Sequence, residues 1–409
     1  MGFDEFGLND KILDAISYMG YEKASEIQEL AIPEILDGKD ILACAQTGTG
    51  KTAAFMLPIL DHLSDEENND LSTLVIVPTR ELAIQINQQI QGFSYFLNIN
   101  SVTVYGGREG SDWDSEARAL TSGTNIVVAT PGKLISHLNL GYVKFDKIRH
   151  LILDEADRML DIGFYDDILR ILSYVPEERQ TLMFSATMPP KIRDLASKIL
   201  KNPVEISTAI SKPAEGVLQA AYVAYEMQKI PIISSLISDK PDLDSILVFS
   251  STKKKVFEIV KSLKKAGNKA EGISSDLEQK EREEVLMRFR SRTTRILVAT
   301  DVLSRGIDIK DINLIINYDV PSSAEDYVHR VGRTARADKT GIAISLINEH
   351  DMDRFDRIEK LIGEEILKIP VPAELGDAPE YKVRQSKPRG KRRFSSGKNK
   401  NKGNAKTAQ

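Results

Sequence analysis

Short apolar runs recur along the chain, each followed by a stretch whose apolar positions return at helical spacing. In the first half they include Ile41–Cys44, Thr73–Val77, Asn125–Ala129, His150–Leu153 and Gln180–Phe184; in the second, Ser245–Phe249, Arg295–Ala299, Leu314–Asn317 and Gly341–Ile347. Near-continuous apolar strands alternating with helices predict an α/β fold of mostly parallel sheets covered on both faces. The segment Ser207–Gly216, S-T-A-I-S-K-P-A-E-G, breaks this rhythm with small residues and a proline. It divides the chain into a first domain at 1–206, a linker at 207–216, a second domain at 217–367 and an extension at 368–409.

A length of 409 residues is too great for one core and fits two or three domains. Charge sharpens the division. Residues 382–409 hold 11 Lys and Arg and no acid, leaving 44 basic against 60 acidic residues in the rest. This tail has little apolar content and is expected to be disordered. An acidic body with a basic tail points to a nucleic-acid partner.

One cysteine, Cys44, excludes an internal disulfide framework, and the five histidines show no metal-ligand spacing. The acidic start M-G-F-D-E-F lacks a signal peptide's basic region, and no apolar run approaches eighteen residues. A cytoplasmic protein without membrane contact is expected.

Two motifs carry chemistry. The run Ile41–Cys44 feeds A-Q-T-G-T-G-K-T at 45–52, a phosphate loop with Ala45 in the usual glycine position. Backbone N–H groups from Thr47, Gly48, Thr49, Gly50 and Lys51 are expected to cradle phosphates. Lys51 pairs with the β- and γ-phosphates, and the Thr52 hydroxyl holds Mg²⁺. Pro58 falls within the following helix and is expected to kink it. The run Leu151–Leu153 feeds D-E-A-D at 154–157. Asp154 is placed for Mg²⁺, Glu155 to orient and deprotonate the attacking water, and Asp157 to hold a neighbouring loop. Alone, the second motif also fits an acidic helix start. The two motifs in order, each between a strand and a helical pattern, define a nucleotide-hydrolysing site on a parallel sheet.

The chain resembles the DEAD-box RNA helicases from its first residues to about Leu367. The motifs that carry this, in order, are Phe3 with Tyr21–Gln28, the loop at 45–52, P-T-R-E-L-A at 78–83, Gly106-Gly107, T-P-G-K at 130–133, D-E-A-D, and S-A-T at 185–187. They continue with V-F-S-S-T at 248–252, Gln279 and Arg282, A-T-D-V-L-S-R-G-I-D at 299–308, and H-R-V-G-R-T-A-R at 329–336.

The resemblance implies two RecA-like domains in tandem with ATP and RNA in the cleft between them. It assigns adenine contact to Gln28, base stacking to Phe3 or Tyr21, and a relay between the γ-phosphate and closure to Ser185 and Thr187. Arg333 and Arg336 reach the γ-phosphate across the cleft, and Asp308 contacts ribose or phosphate-bound water. Thr79, Arg80, Gly107, Thr130 and Lys133 contact the RNA backbone from the first domain, and Thr252 and Thr300 from the second.

Four departures from the family pattern stand out: Ala24 and Glu26 replace prolines, Lys133 replaces Arg, Ser274-Ser275-Asp276 replaces His-Gly-Asp, and Ala335 replaces Gly. The implied activity is RNA-stimulated ATP hydrolysis with local unwinding of short duplexes by a monomer of bacterial type. An RNA clamp or assembly platform, or a DNA-acting motor, are the alternatives. Ribosome-assembly, RNA-decay and other ribonucleoprotein components are candidate partners.

Overall fold

The computed structural model describes residues 1–383 except 47, 65–69, 107–110, 122, 209–215, 239, 275, 301–311 and 335–340. In the first half, α1 (Asp10–Tyr18) and α2 (Glu26–Leu36) lead into β1 (Ile41–Cys44), α3 (Lys51–Ser64), β2 (Thr73–Ile76), α4 (Arg80–Phe93), β3 (Ser101–Val104) and α5 (Ser111–Thr121). Then come β4 (Ile126–Ala129), α6 (Pro131–Asn139), β5 (His150–Leu153), α7 (Ala156–Ile162), α8 (Tyr165–Leu172), β6 (Gln180–Ser185), α9 (Pro190–Ile199) and β7 (Val204–Ser207). Pro58 sits within α3, which continues to Ser64.

The second half starts with β8 (Val217–Val223), α10 (Glu226–Ile237), β9 (Ile246–Phe249), α11 (Lys253–Lys265), β10 (Ala270–Ile273), α12 (Gln279–Arg290) and β11 (Ile296–Ala299). It continues with β12 (Leu314–Asn317), a helix at Ala324–Val331, β13 (Gly341–Ile347), a helix at Met352–Ile362 and β14 (Leu367–Ile369).

Both halves fold into seven-stranded sheets, ordered β3-β4-β2-β5-β6-β1-β7 and β10-β11-β9-β12-β13-β8-β14. Counted from one within its own half, each sheet reads 3-4-2-5-6-1-7, so one topology occurs twice. Every pairing is parallel. Strand alternation puts side chains on both faces: Ile41 and Ala43 join one apolar cluster, and Leu42 joins the other. The strands thus read as continuous apolar runs because helices bury both faces.

The expected second-domain boundary at 367 falls within β14, which pairs with β8. Beyond it, Gln228 Nε2 donates to the carbonyls of Leu375 (2.8 Å) and Asp377 (3.0 Å), and Tyr381 donates to Glu359 at 3.2 Å. The second domain's packing therefore runs to Tyr381. Leu-Lys-Ile is too short and too exposed at Leu367 to announce a strand. Residues 209–215 of the expected linker and 384–409 of the basic tail lie outside the described residues. Among the described residues, no helix is long and apolar enough to cross a membrane.

Candidate functional site

Strand order places the chemistry. In the first sheet β5, β6 and β1 are adjacent, with Leu153 beside Met183 and Cys44 beside Ser185. Their carboxyl ends therefore bring together the phosphate loop, D-E-A-D and S-A-T. Ligands of such sheets bind outside the carboxyl ends of the strands.

Lys51 opens α3 and is buried. Its Nζ donates to the Ala45 carbonyl at 2.9 Å and lies 4.0 Å from Asp154 Oδ1. Burial pushes the Asp154 carboxyl up to about 6, against the opposing pull of Lys51. Asp154 Oδ1 also accepts from the Glu155 amide at 2.9 Å. Glu155 caps α7 in a left-handed conformation (φ 51°, ψ 49°), a backbone that non-glycine residues rarely hold. Arg158 Nη1 donates to Glu155 Oε2 at 3.3 Å. The sequence reading missed Arg158, although its i,i+3 spacing from Glu155 was a usable signal.

Asp157 and the S-A-T segment are joined. Thr187 Oγ1 donates to Asp157 Oδ2 at 2.9 Å, and Ser185 Oγ donates to the Thr187 carbonyl at 2.7 Å. Asp157 thus holds the loop after β6, the loop-holding part expected of it.

Gln28 is buried against the phosphate loop. Its Oε1 accepts from the Ser25 amide at 2.8 Å, its Nε2 donates to the Gly50 carbonyl at 3.0 Å, and Ser25 Oγ donates to the Thr49 carbonyl at 2.7 Å. Gly50 has φ +90°, and a Cβ there would collide with the Gln28 amide. In this state both amide atoms of Gln28 are engaged by the protein. Phe3 is buried too, edge-on to Phe6 (6.0 Å) and Tyr21 (5.9 Å), with Tyr21 against Phe93 at 5.7 Å. Phe3 therefore props Tyr21 from within the core.

The expected RNA residues occupy the neighbouring strand ends. Thr79 follows β2 and caps α4, its Oγ1 accepting from the Leu82 amide at 3.3 Å; Thr130 follows β4 and caps α6. Arg80 lies 4.7 Å from the Tyr105 ring centre and donates to Glu283 of the second domain at 2.7 Å. Arg282 and Glu81 lie 3.9 Å apart beside that contact. Lys133 is held by Glu116 at 3.1 Å and lies 4.3 Å from the Trp113 ring centre; Trp113 in turn stacks on His137 at 3.9 Å. Glu116 is buried and accepts from, or pairs with, His137 at 3.1 Å. The sequence reading missed this cluster, which joins α5 to α6 by side-chain packing.

The second sheet repeats the arrangement. Thr252 follows β9 and caps α11, its Oγ1 accepting from the Lys255 amide at 3.3 Å, and Thr300 follows β11. Asp319 orders this edge, accepting from Ser251 N (2.8 Å), Ser251 Oγ (2.7 Å) and Lys255 Nζ (2.7 Å). Arg333 follows the helix Ala324–Val331 and is half-buried. Thr47, Gly107, Asp308 and Arg336 lie outside the described residues.

Two sheets of one topology, with a phosphate loop and a carboxylate pair at adjacent strand ends, define a tandem RecA-like nucleotide-hydrolysing protein. The profile described as DEAD/DEAH box helicase matches residues 25–195, and the helicase conserved C-terminal domain matches 228–338. The ATP-dependent RNA helicase CshA of Listeria monocytogenes is 42% identical over 372 residues, 90% of this chain and 70% of that protein. The chain belongs to the DEAD/DEAH box helicase family.

Among solved structures, S. cerevisiae Dbp5 bound to RNA and ADP BeF3 matches with a TM-score of 0.80 at 29% identity, over 90% of this chain and 96% of that one. The DEAD box protein of Methanococcus jannaschii is 38% identical, yet its TM-score is 0.53 over 90% of this chain and 99% of that one. The more distant sequence gives the better superposition.

Proposed function

We propose that this chain is an RNA-dependent ATPase that separates short RNA duplexes by closing its two domains around ATP and one strand. The observation that carries this reading is the division of one sheet edge. Nucleotide chemistry sits at the ends of β1, β5 and β6, while the hydroxyl and guanidinium donors Thr79, Arg80 and Thr130 sit at the ends of the adjoining β2 and β4. A strand bound at one station is positioned to influence the other.

In this reading Gln28 and Tyr21 contact the adenine, the amides of residues 47–51 cradle the phosphates, and Lys51 turns from the Ala45 carbonyl to the β- and γ-phosphates. Glu155, oriented by Arg158, takes the proton of the attacking water. Arg333 and Arg336 add positive charge at the γ-phosphate from the second domain, and Asp308 contacts ribose or phosphate-bound water.

Asp154 and Thr52 would hold Mg²⁺. A buried carboxylate only weakly neutralised by Lys51, beside a hydroxyl and a phosphate loop, suits a cation completed by water and phosphate oxygens. When bound, the metal neutralises phosphate charge.

RNA contacts run through Thr79, Arg80, Gly107, Thr130 and Lys133 to Thr252 and Thr300. Hydroxyl donors along the path suit a sugar edge bearing 2′-hydroxyls. The cross-domain pairs Arg80–Glu283 and Arg282–Glu81 join these two tracks.

The test is strand displacement of a short RNA duplex. ATP-dependent release of one strand is expected, with no release from the matching DNA duplex. Tight RNA retention through many ATP turnovers without displacement would instead make the protein a clamp.

A further inference from the structure

Beyond Thr252, α11 carries six lysines and a single acid on thirteen residues of an otherwise acidic body. Lys255 turns inward to Asp319. Lys253, Phe257, Lys261 and Lys264 are spaced by four, four and three residues, which sets them in one stripe along the helix. Phe257 is 69% exposed, a costly position for an aromatic ring with nothing against it.

The stripe borders a groove of about 1000 Å³ between α11 and β10, floored by Val256, Val260 and Leu277. Gly272 brings β10 close to the helix: a Cβ there would lie 2.9 Å from Val256 Cγ1 and 3.2 Å from Val260 Cγ2. β10 is the edge strand of its sheet, so the groove opens sideways to solvent.

Its two acids are engaged by neighbours, Asp276 with Lys253 at 2.6 Å and Glu258 with Lys254 at 3.9 Å. Lys261 and Lys264 make no ion pair within 4 Å of a described acid; Glu271, which feels the Lys264 charge, is itself held by Arg288 at 2.7 Å. The groove begins at Ser274 and Asp276, in the segment that departs from the family's His-Gly-Asp, and at Lys253, next to Thr252.

We propose that this groove is a second station for single-stranded RNA, receiving the strand as it leaves Thr252. Lys261 and Lys264 meet its phosphates and Phe257 stacks on a base. Cationic tracks interleaved with aromatic faces bind single strands without regard to sequence. The helix is about 20 Å long, enough for a few nucleotides. An acidic peptide is the competing occupant, but continuity with the Thr252 track favours RNA. The inference rests on the function proposed above.

The test uses the full chain with labelled oligouridylates of about 6 and 18 nucleotides and a non-hydrolysable ATP analogue, the longer strand exceeding a single short track. Phe257→Ala is expected to weaken binding of the longer strand about fivefold or more, the scale of one lost base stack. The double change Lys261→Glu and Lys264→Glu is expected to weaken it similarly and to lower its salt slope by about one unit, at ~0.7 per phosphate. Affinity for the short strand, and ATP turnover at saturating short strand, should stay at wild-type values.

Unchanged affinity for the longer strand, or equal losses at both lengths, would overturn the proposal. So would intact RNA binding with loss of an oligoglutamate peptide that the wild type binds. A wild-type ATPase indifferent to every RNA would remove the function reading itself. An ATPase stimulated by the short strand, with no length-dependent loss, would remove the groove alone.

Discussion

Thr79 and Thr252 are the same residue of the repeated topology. Each follows the second strand of its half, and each accepts a helix N-terminal amide at 3.3 Å, from Leu82 and Lys255 respectively. Their backbones agree as well, at φ −134°, ψ 153° and φ −138°, ψ 150°. Thr130 and Thr300 likewise follow the fourth strand of each half. The RNA track proposed here is therefore one half-site used twice.

That equivalence separates capping from RNA contact. Aspartate caps helices at least as well as threonine but repels phosphate. Thr79→Asp and Thr252→Asp should each leave unfolding free energy within about 0.5 kcal/mol of wild type. Each should weaken RNA binding about tenfold or more through like-charge repulsion. Denaturant melts and RNA titrations check the two halves of this expectation. Unchanged RNA affinity in both variants would confine these threonines to capping.

Gln28 bridges the Ser25 amide and the Gly50 carbonyl, so it supports the phosphate loop before any base is present. Gln28→Ala removes two hydrogen bonds, each contributing about 0.5–1.5 kcal/mol, and should lower kcat/KM for ATP about tenfold. The wild-type preference for ATP over GTP should shrink in the variant. Parallel losses with both nucleotides would reduce Gln28 to a strut.

Trp113 is the only tryptophan and lies 4.3 Å from Lys133 Nζ, measured to the ring centre. Burial holds the stacked His137 below the usual imidazole range, against the pull of Glu116, so the ring beneath Trp113 is neutral at pH 7. If Lys133 swings to a phosphate, the indole loses its cation. A saturable change in tryptophan emission should track RNA binding and vanish in Lys133→Met. No RNA-dependent change in the wild type would place Lys133 outside the track.

Asp319 links stability to the proposed RNA edge of the second domain. Burial raises its pKa, but Lys255, Ser251 and Lys229 outweigh burial and hold it down at about 2. A depressed carboxylate stabilises the fold fully above its unfolded value near 4, and that contribution is lost as pH falls toward 2. Stability of roughly 2 kcal/mol should disappear across that window, about half of it by pH 3. Asp319→Asn also leaves the buried Lys229 without one of its two acids, costing about 3 kcal/mol at pH 7. Urea melts at pH 3 and pH 7, with both proteins, check the sign and the size.

Much of this was legible in the chain. Continuous apolar runs marked the buried central strands because both sheet faces are covered, and the phosphate loop and D-E-A-D stood where strand ends put them. Edge elements were harder. β14 is three residues long with Leu367 exposed, so it carries no run to read. The Glu116–Lys133–Trp113 cluster and the pair Arg80–Glu283 join residues far apart in sequence, and no local pattern encodes such packing. Arg158 was the exception, readable from its spacing to Glu155.

In the function proposed above, RNA bound on one part of the sheet edge drives ATP hydrolysis by Glu155 on the other. Steady-state ATP hydrolysis with and without RNA, in wild type and Glu155→Gln, tests it most directly. The wild type should be strongly stimulated by RNA. The variant should bind ATP and RNA normally yet turn over at least about a hundredfold more slowly, the usual contribution of a general base. Wild-type turnover that ignores RNA would uncouple the two stations, and a variant that hydrolyses at the wild-type rate would remove Glu155 from the chemistry.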